Sequence, residues 1–187
     1  MPKLIMKNNI YLFSILAVVV AIYMMTAWAD LTVMQRLLGV IFIAHILHEW
    51  EEFRVPGGFM DAMGDRAGVQ FADQDNHEFM VSMFTICLAL VPMFFPALIW
   101  LAMPAMFIGA SQIVNHTVII KLLNLKGFYS PGLVTAVLMA PFAFYAIYYV
   151  IDNDLMTLVE WGYSVLALMA LVGSFRGFSL ILMRKGY

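Results

Sequence analysis

From His45 to Arg54 the chain reads His-Ile-Leu-His-Glu-Trp-Glu-Glu-Phe-Arg, with two histidines and three glutamates in its first eight residues. Imidazole nitrogen and carboxylate oxygen are the donors that hold Zn²⁺ or non-haem iron, and both groups also carry protons. On a helix, at about 100° per residue, His45, His48, Glu49 and Glu52 fall within roughly a third of the circumference. Glu51 lies on the other side of His48 from Glu52, so this histidine sits between two carboxylates. Ionisable groups at the end of an apolar helix are costly to place there and mark function by default.

The surrounding chain sets where such chemistry would operate. Of its 187 residues, 64% are hydrophobic and 12% charged, and the mean hydropathy is +0.90. Soluble domains average about 45–50% apolar and about 25% charged, so the composition is that of an integral membrane protein. The net charge of −2 gives no footing for nucleic acid. Cys87 stands alone, which excludes an internal disulfide. Lys3 and Lys7, followed by an apolar run and Ala27-Trp28-Ala29, imitate a cleavable secretory signal. The run from Ile10 to Ala29 nevertheless reaches the roughly 20 residues that span a bilayer, and is read as a first membrane helix.

Apolar spans of this length predict an all-α, polytopic membrane protein with six helices in one bundle, a single domain over residues 1–187. The helices are expected near 8–29, 31–53, 77–96, 99–123, 132–151 and 155–183. The 23 residues from Arg54 to Asn76 are too polar and Gly-rich to span, and are expected to form a lid or binding loop. With six spans, one face collects Lys3, Lys7, Arg54, Arg66, Lys121, Lys126, Arg184 and Lys185, and the other has no Lys or Arg outside a helix. By the positive-inside rule that face, with both termini, is cytoplasmic.

This topology draws all four histidines to one depth. His45 and His48 close the second helix, His77 and Glu78 open the third, and Asn115-His116 lie in the last turns of the fourth. A metal centre built from His48, Glu52, His77 and His116 is expected, with Glu51 as general base and Asn115 as a second catalytic group. In a di-metal arrangement Glu51, Glu52 and Glu78 would bridge two ions instead. His45, Glu78 and Arg176 are further candidates, each with a structural alternative. His45 could make an interhelical hydrogen bond. Asp75 and Glu78 could form a capping box, and Arg176 could reach the membrane surface rather than a substrate anion. Glu49 is assigned to the headgroup region as a bystander. Neither the zincin HExxH pattern nor a di-iron Glu-x-x-His pair occurs.

His48-Glu49-Trp50-Glu51-Glu52 fits His-x-x-Glu-Glu. Pro56, Phe59, Asn115-His116, Tyr129-Ser130-Pro131-Gly132-Leu133 and Thr135-Ala136 follow in order. In these residues the chain resembles the HXXEE-motif family of small bacterial membrane proteins over about 100 residues, helices two to five. The resemblance implies a multi-helix protein of the bacterial cytoplasmic membrane centred on these residues, and supplies no reaction. A more distant similarity, of site chemistry only, is to the intramembrane CAAX-protease-like family. There paired glutamates and later His and Asn residues make a zinc-type hydrolase site. That family places an arginine four residues after its second glutamate, where this chain has Pro56.

The function expected from the residues is a metal-dependent (Zn or Fe) membrane hydrolase acting on a lipid-like or peptide substrate. A di-iron oxidoreductase is the first alternative. A small transporter or cation-binding protein is the second, and it would need polar residues continuing to the outer face, where only Gln35, Arg36 and Glu160 are available.

Overall fold

A computed structural model describes residues 2–62, 70–71, 74–122 and 129–184, with side chains of the last helix described as far as Ser174. A short α1 (Pro2–Lys7) precedes α2 (Asn9–Ala27) and α3 (Val33–Phe53). Then come α4 (Gln74–Thr85), which runs on through a π turn at Ile86–Leu90 into α5 (Val91–Phe94), and α6 (Ile99–Leu122). The chain ends with α7 (Leu133–Asp152) and α8 (Leu158–Leu182). Among the described residues the extended structure is one two-residue antiparallel pairing of Gln70–Phe71 with Met183–Arg184. Of the expected loops, 63–69, 72–73 and 123–128 lie outside the described residues.

Four segments are long and apolar enough to cross a membrane: Asn9–Ala27, Asp75–Phe94, Pro96–Val118 and Leu133–Asp152. The helix ends follow from local chemistry. Thr32 caps α3 in a reciprocal box with Gln35, and Thr157 caps α8 in the same way with Glu160. One capping expectation fails: α4 already begins at Gln74, so Asp75 lies inside it and is not its cap. Pro92 has no N–H to offer Leu88. The chain widens into the π turn just before it, where Val91 N–H reaches back to Ile86 O.

α3 is the central element. It buries eleven positions along its length and packs against α2, the α4–α5 segment, α6 and α7. α6 and α7 make the most extensive helix contact, because α7 turns Ala136, Ala140, Ala143 and Ala146 inward at helical spacing. On α6, Gly109 completes this seam: a Cβ there would stand 3.3 Å from that of Ala143 and 3.5 Å from the His45 ring. Small residues let the two backbones approach closely. This approach brings the end of α6 and the start of α7 up to the charged end of α3.

Candidate metal centre

Three side chains converge at that junction. His48 Nε2 and His116 Nε2 are 3.3 Å apart. Glu52 Oε1 lies 3.5 Å from the first and 3.2 Å from the second. His116 is fully buried, His48 nearly so, and the Glu52 side chain is 12% exposed. His48 and Glu52 meet because a spacing of four puts them one above the other on α3, whereas His116 is delivered by α6. Two donors about 2.05 Å from one ion at the tetrahedral angle lie about 3.3 Å apart; at a right angle they would be about 2.9 Å apart. The three observed separations match the tetrahedral spacing. The buried group His48, Glu52 and His116 could therefore hold a metal ion.

The outer hydrogen bonds orient both rings for this. Thr135 Oγ1 donates to Glu51 Oε2 at 2.5 Å and lies 3.0 Å from His48 Nδ1. The hydroxyl proton is spent on the carboxylate, so Thr135 accepts from His48 Nδ1–H. That leaves a lone pair on His48 Nε2. On the other ring, Ser130 Oγ lies 3.0 Å from His116 Nδ1 and 3.4 Å from the His116 carbonyl oxygen, to which it can donate. With Nδ1–H donated to Ser130 Oγ, His116 Nε2 also presents a lone pair. In the tautomers that donate Nδ1–H to Thr135 and Ser130, two lone pairs and a carboxylate oxygen face one point, an arrangement that a cation resolves. Such outer partners typically change metal affinity by about 10–100-fold. Thr135→Val is accordingly expected to weaken Zn²⁺ binding by about that factor in a competition titration, while leaving stoichiometry unchanged at saturating metal.

Glu51 does different work from Glu52. Its Oε1 accepts from Tyr129 OH at 3.0 Å and Val134 N–H at 3.1 Å, and its Oε2 accepts from Thr135 N–H at 2.8 Å as well as from the Thr135 hydroxyl. A carboxylate on the free N–H groups at the start of α7 complements the positive end of that helix. Burial and the bond to Glu51 push the Tyr129 hydroxyl up to about 12, so Tyr129 stays a donor. Gly132 turns the chain into α7 at φ 96°.

A cavity of about 580 Å³ borders all three converging residues. Its remaining wall is mostly apolar, including Phe53, Phe59, Val81, Phe84 and Ile108. Phe59 arrives from the segment after α3, its ring 5.6 Å from that of His116, so the described start of the expected lid does reach the site. The other predicted residues divide. His77 and Asn115 line the same cavity without joining the close trio. His45 also lines it, and its Nδ1–H is spent on Ile41 O of its own helix at 2.9 Å, not on a neighbouring helix. Glu78 is held by Arg54 in a two-pronged ion pair at 2.7 and 2.8 Å, which raises the arginine's pKa. The side chain of Arg176 lies outside the described residues. Glu49 overturns its assignment: it is 2% exposed, lines the cavity, and accepts from the Ser82 and Thr85 hydroxyls. Hydroxyl residues in the last turns of α4 and the first turn of α7 were the available signal for both Glu49 and Thr135.

The profile of a family described as "protein of unknown function with HXXEE motif" matches residues 39–146, more than half of the chain. The chain belongs to the HXXEE-motif family. No curated protein and no solved structure matches it. In this HXXEE protein the motif has a physical reading: the first and last of its five residues, four apart, face His116, and the three could together hold an ion. The penultimate one, a turn to the side, ties down α7 and through Thr135 fixes the tautomer of the first.

Proposed function

We propose that this HXXEE protein is an integral membrane metalloenzyme, a zinc-type hydrolase of a lipid-like substrate, with six spans, cytoplasmic termini and its site at the cytoplasmic interface. The observation that carries the reading is the triangle of His48 Nε2, His116 Nε2 and Glu52 Oε1, with sides of 3.2–3.5 Å. Two histidines and a glutamate with a fourth position open form a ligand set of catalytic zinc, and their separations accommodate a tetrahedral ion. Lys and Arg gathered on one face support the orientation. The apolar cavity favours a lipid-like substrate over a peptide.

A bound zinc would supply Lewis acidity and a water of lowered pKa. Water adds its oxygen to the carbonyl carbon, the ester or amide bond breaks, and the leaving atom takes up a proton. Among the described residues Glu49 is, apart from Glu52, the carboxylate on the cavity wall, and it fits the role of taking the proton from water and returning it to the leaving group. Asn115, also on the wall, can donate to the carbonyl oxygen. Glu51, engaged by four donors, positions rather than reacts. A di-metal centre has less support, because Glu51 and Glu78 are committed to α7 and Arg54. Transport has less support because the side chains of Gln35 and Glu160 are spent on helix caps and, for Gln35, on the Met93 carbonyl.

Purified protein is expected to hold about one Zn per chain, and to release acyl product from labelled membrane lipids in a phenanthroline-sensitive manner. Glu49→Gln should retain the metal and lose about 100- to 10,000-fold in turnover. Wild type that is folded but metal-free, or metal-loaded and inert towards lipid esters and amides, would defeat the proposal.

A further inference from the structure

A second cavity of about 670 Å³ adjoins the first, and the two share Phe84, Leu88 and Leu171. It runs between the π turn, α6 and α8, past Cys87, to Trp100 and Tyr163. No charged side chain lines it among the described residues. At the far end the Trp100 and Tyr163 rings meet edge to face with centroids 5.7 Å apart, and Ser164 Oγ donates to Trp100 O at 2.7 Å, fixing α8 to α6 there. From Leu171 to Tyr163 the groove follows α8 for about 12 Å. Its start coincides with the π turn, which supplies Cys87 and Leu88 to its wall just after Phe84.

We propose that the two cavities form one track for a single acyl chain, with its polar head at the His48–Glu52–His116 group and its end at the Trp100–Tyr163 pair. The inference rests on the hydrolase reading and narrows its substrate class to single-tail amphiphiles selected by chain length. An extended peptide is disfavoured because its backbone N–H and C=O groups would go unpaired along charge-free walls. A hydrocarbon tail has no such groups, and burying it is favourable in proportion to its area. One polar end joined to one apolar groove calls for one head and one tail.

Cys87, the single cysteine, is exposed along the track and serves as a reporter. The zinc-loaded protein, in a sterol-based detergent too broad for the groove, is reacted with methyl methanethiosulfonate in the presence of octanoate or palmitate. Palmitate is expected to slow modification of Cys87 severalfold and octanoate to leave it unchanged. Ala170→Trp, which fills the second cavity from an exposed position on α8, should abolish protection by palmitate while the bound zinc remains. His48→Ala should weaken protection by removing the anchor for the head. Equal protection by both acids, or protection that survives Ala170→Trp, would overturn the track. Zinc content measured on the same samples separates the two ideas: zinc-loaded protein that palmitate fails to protect refutes the track and leaves the metal centre standing.

Discussion

Alanine at His48, Glu52 or His116 is expected to abolish metal binding, lowering affinity by well over the about 100-fold upper range for a supporting hydrogen bond. Each removes one of three donors that lie 3.2–3.5 Å from one another, so two ligands remain where zinc sites use at least three from the protein. Glu52→Gln separates a metal centre from a shared proton. Glutamine keeps the size of the side chain but replaces a charged acceptor with a group that can donate. In a metal centre it loses zinc as alanine does. In a proton-sharing cluster its amide donates into the two imidazole lone pairs, and the protein should then be no less stable than wild type and equally indifferent to chelators. Metal analysis with thermal unfolding, with and without phenanthroline, distinguishes these results. Retention of zinc by all of the alanine variants would remove these residues from the centre.

Gly132→Ala is expected to disrupt the same centre without touching a ligand. At φ 96° an L side chain is strained, at a cost of about 1–2 kcal/mol. The added Cβ would also stand 2.5 Å from His116 Cε1, 2.8 Å from His116 Nε2 and 2.9 Å from Glu52 Cγ. The imidazole is rigid and both of its nitrogens are engaged, so it cannot swing aside without leaving Ser130 or the ion position. Zinc affinity and thermal stability should therefore fall together. Gly162→Ala is the matched control: it lies within α8 with nothing within 4 Å of an added Cβ. That change should stabilise by up to about 1 kcal/mol through helix propensity alone. A Gly132→Ala protein with native zinc affinity would show that α7 does not hold the centre closed.

The site is part sequence and part fold. His48 and Glu52 could be paired on paper because a helix fixes the geometry of residues four apart. The place of His116 beside them was only a matter of depth until the alanine seam of α7 drew α6 in. Glu49 and Glu51 show where one-dimensional reading stops. Both lie on α3 within a turn of the ligands, and their azimuths were legible. Their partners were not, because Ser82 and Thr85 come from α4, Tyr129 from the segment before α7, and Val134 and Thr135 from its first turn. Glu49 therefore reads as a surface residue and is buried in the cavity wall, while Glu51 reads as a base and is a helix cap.

By itself, the sequence determined the all-helical build, the long apolar spans and the His/Glu concentration at the end of α3, since composition and period are properties of the chain alone. Tertiary structure decided which glutamate faces the two histidines, which hydroxyl each Nδ1 meets and where the apolar cavity runs. Those are distances between helices, fixed by side-chain volume at the seams, and no spacing along one helix encodes them.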